Sequence, residues 1–528
     1  RCIVQIRDGT LRTTAGDPAR IATQEACSVS VFSPERTAAR RLLREWPPHR
    51  HADLHGGRPL AAVIIGWTPF SEQILYSLLH SGCSDETGPR IAVFDPAAAE
   101  LERVFRGRFA DLMTACPISF HALDPDTLER SLAPAWNGAR EAPLAAAYLS
   151  LADPLLAYRA ALAFAEGLQA ERAHIPPLFY EVDAHRQWLP PLLDDAGSIP
   201  LAIPVDVEDL ALSAAFELGD PMDELARAVH EVYLRQVGGP SDDAASAPSQ
   251  RSWARLPETF RDASRHQADH IDVKLRLLGL VRRPASGVDA LQEPGALERQ
   301  ESFERAARLE HTRWMFERWL DGWRYGPVRD DSLRRHPQLV LFDQLSEGQR
   351  EKDREAIRKL PFLVSLAGQE VVREHVVGMV AGAAESHAPR DAGGFERALR
   401  EEQLAHPDRH LVLAVSFEDT AAALLAERVR QQYGVAVRVI LEQPVYPRRS
   451  GLGDADRASL LRLLAHADEI PPVPQSGEPP IERAAALLAE RSHRLWLIGE
   501  PAGEDRADRV RRAWIEQGRG EPRILSGA

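Results

Sequence analysis

Ten residues, GWRYGPVRDD at 322–331, gather side chains that could read an aromatic, phosphate-bearing ligand. Trp323 and Tyr325 offer flat ring faces. Arg329 offers a planar fork that fits a phosphate or carboxylate. Asp330 and Asp331 can accept hydrogen bonds from ribose hydroxyls or an exocyclic amine, and His336 adds a further ring. Trp314 lies on the predicted helix just before this loop. Together these residues suit an adenine-nucleotide type of ligand. The plainer alternative makes the tryptophans core residues and the Arg–Asp set an intramolecular clamp.

A second group follows the apolar run AAVIIG, where the turn reads Gly66-Trp67-Thr68-Pro69-Phe70-Ser71. In a G-x-G-x-x-G dinucleotide turn, the first glycine permits a tight bend and the second lets the backbone approach a pyrophosphate. Here Gly66 keeps the first position, and Thr68 and Ser71 stand in the other two. Asp95 stands 24 residues beyond Ser71, at the end of the next strand, where an acidic residue commonly holds ribose hydroxyls. The candidate cofactors are therefore NAD or an adenine nucleotide. The alternative is a sheet of this kind whose turn no longer holds a nucleotide.

The elements that must position these groups are readable. Short apolar strands alternate with amphipathic helices from LAAVIIG to PPLFYEV, which predicts a doubly wound parallel sheet over 58–190. Ser33-Pro34-Glu35 marks a helix start, so residues 1–47 read as the closing part of a preceding unit. Residues 191–250 read as a helical connector ending in a polar Gly/Pro/Ser-rich linker, and 251–385 as mostly helical. Ala306, Leu309, Phe316 and Leu320 share one face of a helix there, with Glu310 and Trp314 on another. Residues 405–528 read as a second, smaller α/β domain with no assigned role; Glu500, Glu504 and Asp505 make its late turn a poor phosphate cradle. The predicted fold class is multidomain α/β plus α.

Composition bounds the function classes. The 528 residues exceed one core, and a net charge of −14 argues against wholesale nucleic-acid binding. Four cysteines without CxxC spacing point away from a disulfide framework or zinc knuckle. Eighteen histidines form no H-E-x-x-H, and no nucleophile elbow is present, so a non-enzymatic reading is preferred. His266 and His270 lie at i, i+4, but a solvated polar face is the simpler reading, and no metal is expected. The chain opens on Arg1 and not Met, from which further sequence ahead of it is expected.

Two resemblances add to this. VIIGWTPFSEQILYSLLHSG, IAVFDP and ALDPDTLERSL resemble the TrkA-N type regulator-of-potassium-conductance (RCK) domain over about 60–185. That resemblance implies a cytoplasmic regulator, often attached to a membrane channel or transporter. WARLPETFR, ADHIDVKLR, EHTRW, GWRYGPVRD, HPQLV and KDREAIRKLP resemble the ryanodine-receptor repeat (RyR) domain over about 251–372. In ryanodine receptors a paired copy holds an adenine nucleotide among its tryptophans, which implies contacts from Trp314, Trp323, Tyr325 and Arg329. FRDASRHQADH departs from the pattern at Ala263-Ser264. The resulting expectation is a cytoplasmic, homo-oligomeric sensor. Its RyR domain binds a nucleotide-type ligand, and its RCK-like domain relays the signal to a membrane segment of potassium-transport type. The rivals are an NAD-dependent or nucleotide-processing enzyme and an interaction scaffold.

Overall fold

The computed structural model describes residues 2–5, 29–51, 60–82, 88–141, 144–171, 173, 175–182, 201–212, 223–240, 248–286, 297, 302–382, 393–442, 453–467, 479–499 and 505–525. The core of the linker expected before 250, the boundary at 383–392 and the acidic turn at 500–504 lie outside these residues. Two short strands, β1 (Cys2–Gln5) and β2 (Val29–Phe32), pair in parallel and lead into helix α1 (Pro34–Glu45). Ser33 caps α1 by accepting from the Arg36 N–H, as its sequence predicts.

The predicted doubly wound sheet is present. Its elements run β3 (Ala61–Ile65), α2 (Pro69–Ser81), β4 (Arg90–Asp95), α3 (Ala98–Arg108), α4 (Ala110–Ala115), β5 (Ile118–Ala122), α5 (Leu128–Glu141), β6 (Leu144–Leu149), α6 (Pro154–Ala170), β7 (Leu178–Val182) and β8 (Ala202–Asp206). All strands are parallel in the order β5-β4-β3-β6-β7-β8. The chain thus starts in the middle and builds outward both ways, leaving a crevice at the carboxyl ends of β3 and β6. Strand β3 is wholly buried, as its run of Ala, Val and Ile requires. The strand β8 falls within the span read as a helical connector. It lies at the sheet edge, where Pro204 is tolerated because no neighbour needs its missing N–H.

Next come α7 (Val207–Leu212), α8 (Glu224–Gln236), α9 (Glu258–Asp269), α10 (Ile271–Leu277), β9 (Leu280–Pro284) and α11 (Phe303–Leu320). A two-residue ladder, β10 (Arg324–Tyr325) with β11 (Arg335–His336), precedes α12 (Glu347–Arg358) and α13 (Leu360–Ser365). Strand β12 (Gln369–Ala381) then opens the second sheet, with α14 (Gly393–Ala405), β13 (Arg409–Ser416), α15 (Thr420–Tyr433), β14 (Ala436–Ile440), α16 (Asp454–His466), α17 (Pro480–Arg491), β15 (Arg494–Ile498), α18 (Arg506–Glu516) and β16 (Arg523–Leu525). Its order, β14-β13-β12-β15-β16, is again doubly wound. Strand β9 pairs antiparallel with the start of β12, so the helical region and the last α/β unit share a strand.

One apolar cluster joins α1, α2 and one face of the first sheet to α9, α10, α11 and α13. A second runs from the opposite face of that sheet into the last one. Among the described residues no helix is long and apolar enough to cross a membrane.

Candidate functional site

The turn after β3 brings Gly66, Thr68, Ser71 and Asp95 together at the crevice between β3 and β6. Gly66 has φ +93°, and a Cβ there would meet the Ser150 carbonyl oxygen at 2.1 Å, so only glycine fits. Thr68 and Ser71 form a capping box for α2, in which the Thr68 N–H donates to Ser71 Oγ at 2.8 Å and the Ser71 N–H to Thr68 Oγ1 at 3.3 Å. Asp95 accepts from the Trp67 N–H through Oδ2 and from the Ala97 N–H through Oδ1, both at 2.8 Å. Thr68 Oγ1 lies 2.5 Å from Ser150 Oγ and donates to Glu181 Oε2 at 3.3 Å; Ser150 also bonds Glu181. Gly66, Thr68 and Ser71 share one hydrogen-bond network with Ser150, just past β6, and Glu181 of β7, while Asp95 lies beside it, holding the turn's backbone. Amides that would cradle a phosphate are occupied within the turn, and Glu181 brings a carboxylate to it.

The second site is built on α11. This helix ends at Asp321. Gly322, at φ +82°, donates its N–H to the Trp319 carbonyl, and Trp323 donates to the Arg318 carbonyl, a Schellman closure that fixes where the loop starts. The β10–β11 ladder returns the chain to α11. Asp330 makes the turn between them: its Oδ1 accepts from the Ser332 N–H, the Ser332 hydroxyl and the Leu333 N–H. Arg329 Nε lies 2.8 Å from Asp331 Oδ1, and both side chains are exposed. Trp314 meets the His336 ring edge-on at a centroid distance of 5.0 Å and lies against His311 at 5.6 Å. Trp323 meets His336 from another side at 6.1 Å, and the Arg318 guanidinium lies between the two tryptophans.

These groups border an open cavity of about 470 Å³, lined among others by His311, Trp314, Arg329, His336, Lys352 and Asp353. Three predicted residues, Trp314, Arg329 and His336, are thus in its wall. Trp323 stands one ring behind, Tyr325 points out with 55% exposure, and Asp330 and Asp331 are used within the loop.

Residues 296–371 match the RyR domain family. That span holds the whole cavity. Among solved structures, the tyrosyl-tRNA synthetase of Leishmania major in complex with tyrosinol is 11% identical, with 94% of this chain and 80% of that chain covered and a TM-score of 0.16. The same enzyme in complex with fisetin is 11% identical, with 93% and 79% covered and a TM-score of 0.17. At those scores the likeness carries no argument.

The RyR match stops short of α9 and α10, yet buried charges tie α10 to the domain. Lys274 Nζ lies 2.5 Å from Glu310 Oε2, and Arg313 bridges Glu310 and Glu317, all nearly fully buried. Burial opposes ionisation of Glu310, but Arg313 and Lys274 outweigh it and hold its carboxyl well below the usual range. Consequently α11 is buried on both faces, where the sequence marked only one apolar stripe. His266 and His270 depart from the solvated face expected of them. His270 is buried, and His266 stacks on His80 of α2 at 3.5 Å.

His311, Lys352 and Asp353 were absent from the sequence prediction. His311 Nε2 faces the Val340 carbonyl at 2.8 Å, which can only accept, so that nitrogen carries hydrogen. His311 Nδ1 lies 3.3 Å from Asp353 Oδ2, an approach that needs a proton between them. Burial pushes the Asp353 carboxyl up, with His311 opposing. Their signals stand in EHTRW and KDREAIRKLP, but about forty residues of chain separate them.

Proposed function

We propose that this chain is a regulatory protein whose RyR domain binds a nucleotide-type ligand in the Trp314 cavity. The single observation that carries the reading is the make-up of its wall. Trp314 and His336 line it with aromatic rings, and Arg329 and Lys352 line it with cations. A base stacks on the rings, and a phosphate takes the cations. The turn at Gly66 is the poorer ligand site, because its amides are occupied and Glu181 faces it.

The first sheet acts as the RCK-like relay. Helix α11 carries Trp314 toward the cavity and packs on α2 of that sheet. The ring of Phe316 sits where a Cβ on Gly88, just before β4, would be 2.4 Å away. Ligand seated against Trp314 therefore biases a helix that the first sheet feels directly. The output is a membrane channel or transporter, as the RCK resemblance implies.

The test is a melting screen of the full chain with ATP, ADP, ADP-ribose, cyclic ADP-ribose and NAD. A ligand at 100-fold its Kd adds about 2.7 kcal/mol. Trp314→Ala and Trp323→Ala should abolish that shift, and Asp95→Ala should leave it. Loss with Asp95→Ala alone moves the site to the Gly66 turn, and no shift with any ligand refutes the reading.

A further inference from the structure

The last α/β unit has a cluster that the RyR reading does not use. His375 stands on β12, Glu402 stands in the last turn of α14, and His406 follows just past its end. All three aim at one point. His375 Nε2 lies 2.7 Å from Glu402 Oε1, and His406 Nε2 lies 3.6 Å from the same oxygen. The imidazole centroids of His375 and His406 are 4.1 Å apart. One donor atom from each residue falls within 4.8 Å of the others.

We propose that His375, Glu402 and His406 bind a divalent transition-metal ion, with one coordination position left open. Zinc–nitrogen and zinc–oxygen bonds run about 2.0–2.2 Å, which sets tetrahedral ligand atoms about 3.4 Å apart. The observed separations bracket that value, so modest side-chain movement closes the site. Two histidines and one carboxylate form a recurrent donor set for zinc and for non-haem iron(II).

The surroundings fit an ion better than a plain polar core. His375 and Glu402 are buried, at 3% and 8% exposure, whereas His406 is half-buried and opens the way in. His493 lies behind His375 at 5.5 Å, and its Nδ1 accepts from the Val376 N–H, which fixes that wall. The Arg494 Nε lies 3.6 Å from Glu402 Oε1, but this side chain is 63% exposed and can swing away. On the open side lies a cavity of about 280 Å³ that also touches Arg283, Arg409 and Tyr433. Arg283 is engaged by Glu370 and by two carbonyls, so it does not compete for Glu402.

The position is also telling. It lies at the start of β13 and β15, the end opposite the crevice where doubly wound sheets take nucleotides. That crevice is filled by Ser416, Glu418, Asp419, Glu442 and Arg506 bonded among themselves and to the backbone. The metal site is therefore independent of a nucleotide site on this sheet and of the RyR cavity.

The experiment strips the full chain with a chelator and titrates zinc against a chromophoric competitor. Cobalt(II), bound in zinc's place, supplies a visible spectrum. We expect one equivalent of tight zinc, with cobalt bands of imidazole–carboxylate ligation. His406→Ala, the least buried change, and Glu402→Gln should each weaken zinc by about 100-fold or more, and His410→Ala should not. A melting curve checks that each variant is folded. If the chain binds no stoichiometric zinc, or the folded His406→Ala and Glu402→Gln variants bind it as tightly as the parent, the cluster is an ordinary buried ion pair and the proposal fails.

Discussion

Acid should loosen the seam between the first sheet and the helical region that precedes the RyR match. His80 on α2 and His266 on α9 stack across that seam with centroids 3.5 Å apart and planes 14° from parallel. Burial, assisted by Arg36 and Arg313, lowers the His80 pKa to about 3. Burial, then His80, Arg36, Arg313 and Arg40, lowers that of His266 well below its usual value. Asp262 pulls the other way on His80 and is outweighed. An unfolded histidine titrates near 6.5, so below that pH the unfolded chain binds protons that the folded chain refuses. The stability that neutral His80 confers is therefore complete above about pH 6.5 and is lost as pH falls toward 3, and His266 acts in the same direction. The limiting slope is about 1.4 kcal/mol per pH unit per histidine, which integrates to about 1.3 kcal/mol for His80 between pH 7 and 5.5, and His266 adds in the same direction. His49, buried and lowered to about 3 mainly by burial, adds in the same direction. The assay is urea unfolding at half-unit steps of pH. His80→Phe keeps a stacked ring and removes one titrating group, so its loss over that range should be smaller by about 1.3 kcal/mol. A parent protein whose stability is flat from pH 7 to 5.5, or a variant with the parent's slope, would refute the reasoning.

Two further outcomes test the packing on which the proposed relay rests. Lys274→Met leaves Glu310 short of one cation in a buried site and should cost about 3 kcal/mol, whereas adding Glu310→Met should recover part of it, because the uncompensated carboxylate is gone; urea midpoints that fall further in the double variant speak against this. Gly88→Ala places a Cβ at φ +70° against the Phe316 ring and should cost about 1–3 kcal/mol. Phe316→Leu in the same chain should relieve the clash, so strictly additive losses would show that the two residues do not meet.

The sequence makes local features legible and distant ones obscure. Most strands of both sheets stand out as apolar runs, although β8 and β12 lie in spans read as helical; Ser33 caps its helix as its position predicts, whereas Thr68, read as a nucleotide-slot residue, turns out to cap its helix. Strand order does not stand out, because it depends on where each crossover returns. Gly66, Thr68, Ser71 and Asp95 were found together because one βαβ unit holds them all. Asp330 was read as a ligand acceptor because an aspartate that builds its own turn has the same spacing as one that faces a ligand. His375 and Glu402 meet from a strand and a helix, with no motif between them to give them away.

Helix α11 is the element through which the proposed relay would run, and sequence spacing sets its geometry. Trp314 and Phe316 are two residues apart, which on a helix is about 200° around the axis. They must face opposite ways. One face meets the loop that Gly322 opens, and the other meets Gly88 and α2. Between them Arg313 is held by Glu310 and Glu317, whose geometry cannot shift without exposing a buried charge. A helix so clamped moves as a unit. Under the proposed relay, a ligand that displaces Trp314 displaces Phe316, and a Trp314→Ala protein that still passed a ligand signal to the first sheet would overturn that proposal.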